Sequence, residues 1–250
     1  MSSSSGSRTS TRSSRSAAAR LGRITAVGLD GDDTLWHNEG RFQDAQRRLH
    51  ELIAPYAPPD FADRLLATER RNLDLFGYGV KGFTLSSIET AIELSGGRVD
   101  TADIMRLIDL GKAMLRAPVE LLDGAEHAVR ALAAGPLRLL LVTKGDLIDQ
   151  ESRISRSGLA DAFEAIEVVS EKDEATYARI LARHGIAPSE FAMVGNSVRS
   201  DVLPVLGLGG AAVLVPYPLL WQHETASAPT GHDRFAVLDS LSELPALLRV

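Results

Sequence analysis

The sequence contains no cysteine, few aromatic residues and no long apolar run. The absence of cysteine excludes disulfides and thiolate metal sites within these 250 residues and is typical of a cytoplasmic protein. No run of 18 apolar residues occurs, so we expect no membrane-spanning helix and no membrane partner. Basic residues are outnumbered, with 27 Lys and Arg against 33 Asp and Glu, which argues against a nucleic-acid partner. The length allows one large or two smaller domains with a buried core.

Residues 1–20 lack acidic residues and contain nine serines and four arginines. A segment of this composition cannot bury enough apolar surface to fold, so we predict a disordered tail. No apolar segment follows its basic residues, which argues against a secretory signal, although the composition is similar to that of an organelle transit peptide.

Residues 23–36 are the most informative stretch of the chain. An apolar run ends abruptly at Asp30, Gly31 and Asp32. Such a run is typical of a strand buried on both faces of a parallel sheet, and ligands bind at the carboxyl ends of such strands. Of two neighbouring acids, one can stay ionised as a nucleophile while the other carries a proton, and a divalent cation such as Mg²⁺ would relieve their repulsion. The alternative is a turn in which Asp side chains cap backbone amides.

Residues 37–115 show helical periodicity and no strand pattern. Apolar residues recur on one helical face in residues 42–53 and 61–76, while Thr84 and Asp100 are candidate N-caps of two further helices. Between the second and third helices, residues 76–83 form a glycine-rich aromatic loop that either reaches over a site or only joins two helices. An all-helical insert after a site-like strand predicts a cap domain.

The remaining chain alternates between predicted helices and strands. Apolar strands are predicted at residues 137–142, 163–169, 191–194 and 211–215, with helices between them. This alternation predicts an α/β fold, in which a Rossmann-like parallel sheet carries helices on both faces. The core would comprise residues 21–36 and 116–250, and the α-helical cap residues 37–115.

Polar residues follow three of the later strands, where ligands of a parallel sheet bind. The first of these strands ends at Thr143, followed by Lys144; the second leads to Lys172 at a helix start; the third leads to Asn196 and Asp201. A hydroxyl with free amides suits an anionic oxygen, and a lysine at a helix start opposes the macrodipole unless it faces an anion. The alternatives are a helix cap at Thr143 and a solvated lysine at 172.

Together, these segments resemble the four motifs of the haloacid dehalogenase superfamily, most closely its phosphatase branch with a helical cap inserted after the first motif. The first motif, Asp-any-Asp-any-Thr, reads Asp30-Gly31-Asp32-Asp33-Thr34. The Thr of the second motif is Thr143, the Lys of the third is Lys172, and the fourth reads Gly195-Asn196 with Asp201. The resemblance covers about residues 23–215, and Asn196 stands where the family usually has a metal-binding Asp.

The resemblance implies a Mg²⁺-dependent phosphatase, similar to phosphoglycolate phosphatase, acting on a small-molecule phosphate monoester through an aspartyl-phosphate intermediate. Asp30 would be the nucleophile and Asp32 the general acid and base. The implied catalytic residues are Asp30, Asp32, Thr143 and Lys172; the implied phosphate-binding residues are Thr143, Lys144 and Lys172; the implied metal site draws on Asp30, Asp32, Asn196 and Asp201. Asp201 would order a metal-bound water or Lys172 rather than bind the metal directly.

Three other functions remain open at this point. A haloacid dehalogenase shares the Asp nucleophile but needs no metal, and Asp32 argues against it because a halide leaves without protonation. A phosphomutase on the same core would produce a sugar phosphate. A non-catalytic phosphate-binding scaffold is conceivable because of Asn196. We expect a small phosphorylated substrate as the partner, and a monomer or homodimer.

Overall fold

The computed structural model describes residues 21–250, so the predicted disordered tail at residues 1–20 lies outside the described residues. Its centre is a six-stranded parallel sheet with strand order β3-β2-β1-β4-β5-β6. The strands are β1 (Ala26–Leu29), β2 (Arg138–Lys144), β3 (Ala165–Val169), β4 (Phe191–Gly195), β5 (Ala211–Leu214) and β6 (Phe235–Val237). The predicted parallel α/β sheet is therefore confirmed, and β6 is an addition that the apolar pattern did not indicate.

The central strand β1 is fully buried and pairs with β2 on one side and β4 on the other. Its last residue, Leu29, lies in register with Leu141 and Val194, so Asp30 follows at the carboxyl edge of the sheet. The strand order changes direction at β1, because the chain first builds β2 and β3 on one side and then crosses to β4. Such a switch point leaves a crevice at the carboxyl ends of the strands.

Four consecutive helices follow β1 and form the cap. They are α1 (Glu39–Leu52), α2 (Phe61–Phe76), α3 (Val80–Ser95) and α4 (Thr101–Arg116). They bury a hydrophobic cluster of their own, which includes Leu49, Leu65 and Leu107. The third helix begins at Val80, so the predicted N-cap at Thr84 is wrong. Thr84 lies inside the helix, where its hydroxyl donates to the Val80 carbonyl at 2.7 Å.

The core helices cover both faces of the sheet. They are α5 (Ala125–Ala133), α6 (Leu147–Ser157), α7 (Glu174–Arg183), α8 (Leu203–Gly207) and α9 (Leu244–Leu248). Alternate residues of β2 enter different clusters: Leu139 and Leu141 pack with α5, whereas Leu140 and Val142 pack with α7. Both faces of β2 are therefore buried, as its continuous apolar run requires. No helix within residues 21–250 has the length and apolar content needed to cross a bilayer.

Candidate active site

A buried lysine joins two aspartates at the carboxyl edge of the sheet. The Lys172 ammonium donates to Asp30 Oδ1 at 2.5 Å and to Asp201 Oδ1 at 2.7 Å. Asp201 also accepts a hydrogen bond from the Ser197 backbone N–H at 3.0 Å. All three charged residues are at most 6% exposed. The structure thus brings together residues that follow β1, β3 and β4.

Burial sets the electrostatics of this cluster. Burial raises the pKa of Asp30 to about 7, although the Lys172 ammonium acts in the opposite direction. Burial alone would lower the pKa of Lys172, but the carboxylates of Asp201 and Asp30 outweigh it and raise that pKa well above its usual value. Lys172 is therefore a cation at neutral pH. Further positive charge beside Asp30 would favour the ionised form of the Asp30 carboxyl, which is the form that can act as a nucleophile.

The second carboxyl of the motif, Asp32, is held by three donors. Its Oδ1 accepts from Trp36 Nε1 at 2.6 Å and from Arg153 Nη1 at 3.3 Å, and its Oδ2 accepts from Gln150 Nε2 at 2.9 Å. Arg153 is 3% exposed and also pairs with the buried Asp149 carboxylate. These donors fix the orientation of Asp32 within the cavity.

Sequence reasoning missed Gln150 and Arg153. Both lie on α6, whose polar residues Asp149, Gln150 and Arg153 all face inward. Their spacing of one, three and four residues places them on one helical face, and that shared polar face was the available signal.

Thr143 supplies an unpartnered hydroxyl to the site. Its Oγ1 is buried and has no hydrogen-bond partner among the described residues 21–250. It lies close to Gly31, where an added Cβ atom would lie 3.3 Å from Thr143 Oγ1 and 2.6 Å from the Trp36 ring. A glycine is therefore required between the two aspartates, and the buried hydroxyl is available to an oxygen atom of a ligand.

Lys144 lies in the cavity wall with its ammonium already paired. It donates to Glu224 at 2.6 Å, to Ser200 at 3.2 Å and to Glu171 at 3.3 Å, and it lies 4.0 Å from the centroid of the Tyr78 ring. Its predicted role in phosphate binding stays a prediction, since binding a phosphoryl oxygen would compete with these contacts.

The oxygen donors beside Asp30 fit a hard divalent cation. The Thr34 hydroxyl lies 3.0 Å from Asp30 Oδ2 and 3.4 Å from Asn196 Oδ1, so the carboxylate and the amide oxygen share one neighbour. Carboxylate, amide and backbone carbonyl oxygens are the ligands that Mg²⁺ accepts. Within residues 21–250 no group of three or more His, Cys, Asp or Glu side chains is arranged to hold a metal. The Asn196 amide oxygen is the further oxygen donor that lies beside Asp30.

Comparison with known proteins decides the family. The family model of haloacid dehalogenase-like hydrolases matches residues 24–206, which is most of the chain. The chain belongs to the haloacid dehalogenase-like hydrolase family. The match confirms the resemblance seen in the motifs, and with it that the protein is a hydrolase.

Individual relatives of this haloacid dehalogenase-like hydrolase extend the comparison. A haloacid dehalogenase-like family hydrolase from Xanthomonas campestris is 46% identical, with a TM-score of 0.81 over 90% of this chain and 91% of that one. A putative HAD-hydrolase YfnB from Bacillus subtilis, described as bound to magnesium, is 17% identical, with a TM-score of 0.63 over 91% of this chain and all (100%) of that one, and shows the fold alone.

A curated relative carries a named activity. N-acylneuraminate-9-phosphatase of Rattus norvegicus is 29% identical over 120 residues, which are 45% of this chain and 46% of that protein. The chain thus matches about half the length of this relative.

A cavity of about 180 Å³ lies above Asp30 of the hydrolase, between the cap and the core. Asp30, Thr143 and Lys172 line its base, while Glu39 and Glu69 line its cap side. The glycine-rich loop is shorter than predicted, Gly77 to Gly79, and it places Tyr78 in the cavity wall, where the hydroxyl donates to Glu171 at 2.8 Å. The loop therefore contacts both the core and the cavity.

The two cap-side carboxyls are unusual in their charge environment. Burial raises the pKa of Glu39 and of Glu69 to about 7, and for Glu69 the negative charge of Glu39 adds to the effect. The only opposing contributions come from the neutral side chains of Gln43 and Trp221. No cation compensates either carboxyl within the described part of the chain.

Proposed function

We propose that this hydrolase is a Mg²⁺-dependent phosphatase that cleaves a small-molecule phosphate monoester through an aspartyl-phosphate on Asp30. The observation that carries the proposal is the second carboxyl, Asp32, held in the cavity that Asp30 lines. Cleavage of a phosphate ester needs a proton donor for the leaving oxygen, whereas cleavage of a carbon–halogen bond does not. The rat phosphatase supports the same reaction class.

In the first half-reaction an Asp30 carboxylate oxygen forms a bond to phosphorus while the bond from phosphorus to the ester oxygen breaks. Asp32 gives its proton to the departing oxygen. The free Thr143 hydroxyl donates to a phosphoryl oxygen, and Lys172 neutralises charge on Asp30 and on the phosphoryl group. Catalysis rests largely on positioning and charge neutralisation, as in other phosphoryl transfers.

In the second half-reaction a water molecule attacks phosphorus. Asp32, now ionised, takes the proton from the water as its oxygen bonds to phosphorus, and the bond from phosphorus to Asp30 breaks. Inorganic phosphate leaves, and both aspartates return to their starting states. General acid–base assistance of this kind contributes about 10²–10⁴-fold in rate.

The residues that would hold Mg²⁺ are Asp30 through its carboxylate, Asp32 through its backbone carbonyl and Asn196 through its amide oxygen. When bound, the cation would offset negative charge on the carboxylate and on the phosphoryl oxygens. Asp201 is engaged by Lys172 and by a backbone amide, which supports an ordering role for it. The magnesium-bound Bacillus subtilis neighbour supports the choice of metal.

The test is a phosphate-release assay on a panel of phosphate monoesters, with Mg²⁺ and with chelator. We expect release only with Mg²⁺. Chloride release from 2-haloacids without metal would favour a dehalogenase, and a phosphorylated sugar product without free phosphate would favour a phosphomutase. Tight binding of phosphate mimics without any turnover would favour a scaffold.

A further inference from the structure

We propose that the substrate is the phosphate monoester of an amino alcohol or amino sugar, whose ammonium group binds between Glu39 and Glu69 at the cap side of the cavity. The inference rests on the proposed phosphatase function and names its substrate class. It departs from the phosphoglycolate-like substrate that the family resemblance implied.

Glu39 and Glu69 differ in their partners from the other acids that line the cavity, of which the buried Asp33 accepts from the backbone N–H groups of Asn38 and Glu39. Asp201 is paired with Lys172, Glu224 with Lys144, and Asp149 with Arg153. Glu69 is 9% exposed and Glu39 is half-buried, yet within residues 21–250 neither carboxyl has a cationic partner. Buried carboxylates are normally paired, so these two lack the positive charge that a ligand would supply.

Gln150 independently indicates a ligand that donates hydrogen bonds. Its Nε2 donates to Asp32 Oδ2 and to the Lys144 carbonyl, and because both partners are acceptors the orientation of the amide is settled. Its Oε1 is buried, with no partner among the described residues, and Gln150 lines the cavity. An N–H or O–H on the leaving group, close to the ester oxygen that Asp32 serves, would satisfy it.

The charges that line the cavity distinguish between an anionic, a neutral and a cationic leaving group. An anionic leaving group would lie against two carboxyls, and the cations of the cavity wall, Lys144 and Arg153, are engaged by acidic partners. A neutral polyol would satisfy Gln150 but would leave both carboxyls uncompensated. A leaving group with an ammonium and its N–H donors can supply positive charge to the two carboxyls and a hydrogen bond to Gln150, all of which line the same cavity.

The experiment compares two matched series of substrates at saturating Mg²⁺. One series is phosphoethanolamine, glycerol 3-phosphate and phosphoglycolate; the other is glucosamine 6-phosphate, glucose 6-phosphate and 6-phosphogluconate. We expect kcat/KM to fall from the cationic to the neutral to the anionic member of at least one series, by about tenfold at the first step, as for a close charge pair. Phosphate release gives the readout.

The charge variant Glu69→Gln tests the assignment of the carboxyl. It should lower kcat/KM for the cationic member by about tenfold, mainly through KM, and raise the ratio of anionic to cationic kcat/KM. Glu51→Gln, an exposed position on α1 that loses the same charge, should leave that ratio unchanged. Glu39→Gln provides the same readout if Glu69→Gln fails to fold.

Preference for the neutral or anionic member in both series would overturn the proposal. So would an unchanged ratio in the folded Glu variant. Either result leaves the phosphatase function standing, because phosphate is still released. Absence of phosphate release from every monoester would instead remove the phosphatase function on which the proposal rests.

Discussion

At the scale of single residues, the roles proposed for Asp30 and Asp32 rest on their different partners. Asp30 faces the Lys172 ammonium, whereas Asp32 accepts from Trp36 and from two side chains of α6. The Asp30 carboxyl therefore forms an ion pair at the base of the cavity, whereas the Asp32 carboxyl is held by three hydrogen-bond donors. Two carboxyls in different environments can divide the nucleophile and acid–base roles.

Asp30→Asn should abolish turnover, because an amide cannot form the acyl-phosphate bond.

Asp32→Asn should still bind phosphate mimics but slow phosphoryl transfer by about 10²–10⁴-fold. Single-turnover phosphate release and binding of a phosphate mimic separate the two effects. Turnover near wild type in Asp30→Asn would contradict the nucleophile assignment.

The Glu69 carboxyl lowers the free energy of unfolding by an amount that depends on pH. Its carboxyl has a pKa of about 7 in the folded protein, against an ordinary 4.5, so the folded state binds its proton more tightly than the unfolded state does. A raised carboxyl pKa means that stability falls as pH rises from about 4.5 to about 7, and stays reduced above that. Active sites commonly retain such costs.

Glu69→Gln should therefore raise the free energy of unfolding by about 1–3 kcal/mol at pH 8 and by much less at pH 5. Denaturant unfolding of both proteins at the two pH values measures the difference. The exposed Glu51→Gln variant serves as the control and should show no such pH dependence. An equal gain at both pH values would show that the carboxyl is not the source of the cost.

At the scale of elements, the start of helix α6 reverses the usual amphipathic pattern. Leu147 and Ile148 are 55% and 69% exposed, whereas Gln150 and Arg153 are buried at 3%. The helix packs its polar face towards the active site, because that face supplies the donors for Asp32. The Asp146 side chain caps its start by accepting from the Asp149 N–H.

We expect this inversion to be visible in stability measurements. Leu147→Ser and Ile148→Ser should each change the free energy of unfolding by less than about 0.5 kcal/mol, as for exposed positions. Ile154→Ala on the same helix, where Ile154 is buried in the main hydrophobic cluster, should cost about 2–5 kcal/mol. Thermal and denaturant unfolding give both values, and a large loss at Leu147 would show that this face is covered.

At the scale of the whole molecule, the site exists only because the sheet brings distant strands together. Asp30 follows β1 and Asn196 follows β4, and the two strands are direct neighbours in the sheet. The Thr34 hydroxyl lies near both side chains. The oxygen donors proposed for the metal therefore follow two strands whose residues are all buried.

Asn196→Asp should lower the Mg²⁺ concentration needed for half-maximal phosphate release, because a carboxylate adds a full negative charge where the amide supplies only a dipole. The maximal rate need not rise, since Asp30, Asp32 and Lys172 are unchanged. Mg²⁺ titrations of the wild type, Asn196→Asp and Asp201→Asn measure this. An unchanged titration for Asn196→Asp with a strong shift for Asp201→Asn would assign the ligand role to Asp201.

The sequence by itself determined the element types, the parallel sheet, the helical cap and the family. The physical reason is that each of these features depends on residues that are close in sequence. Apolar runs form the strands, helical periodicity marks the helices, and polar residues such as Asp30 and Thr143 stand where a strand ends. Because the strands are parallel, those ends lie at the same edge of the sheet.

Only the tertiary structure decided which groups the charged side chains meet. Lys144 follows its strand as predicted, yet its ammonium is engaged by Glu224, a residue from the far end of the chain. Glu39 and Glu69 look like ordinary surface acids on cap helices, and packing of the cap over the core buries them without a cation. The partners of a long charged side chain depend on how segments that are distant in sequence pack together. Local periodicity in the sequence does not predict those contacts.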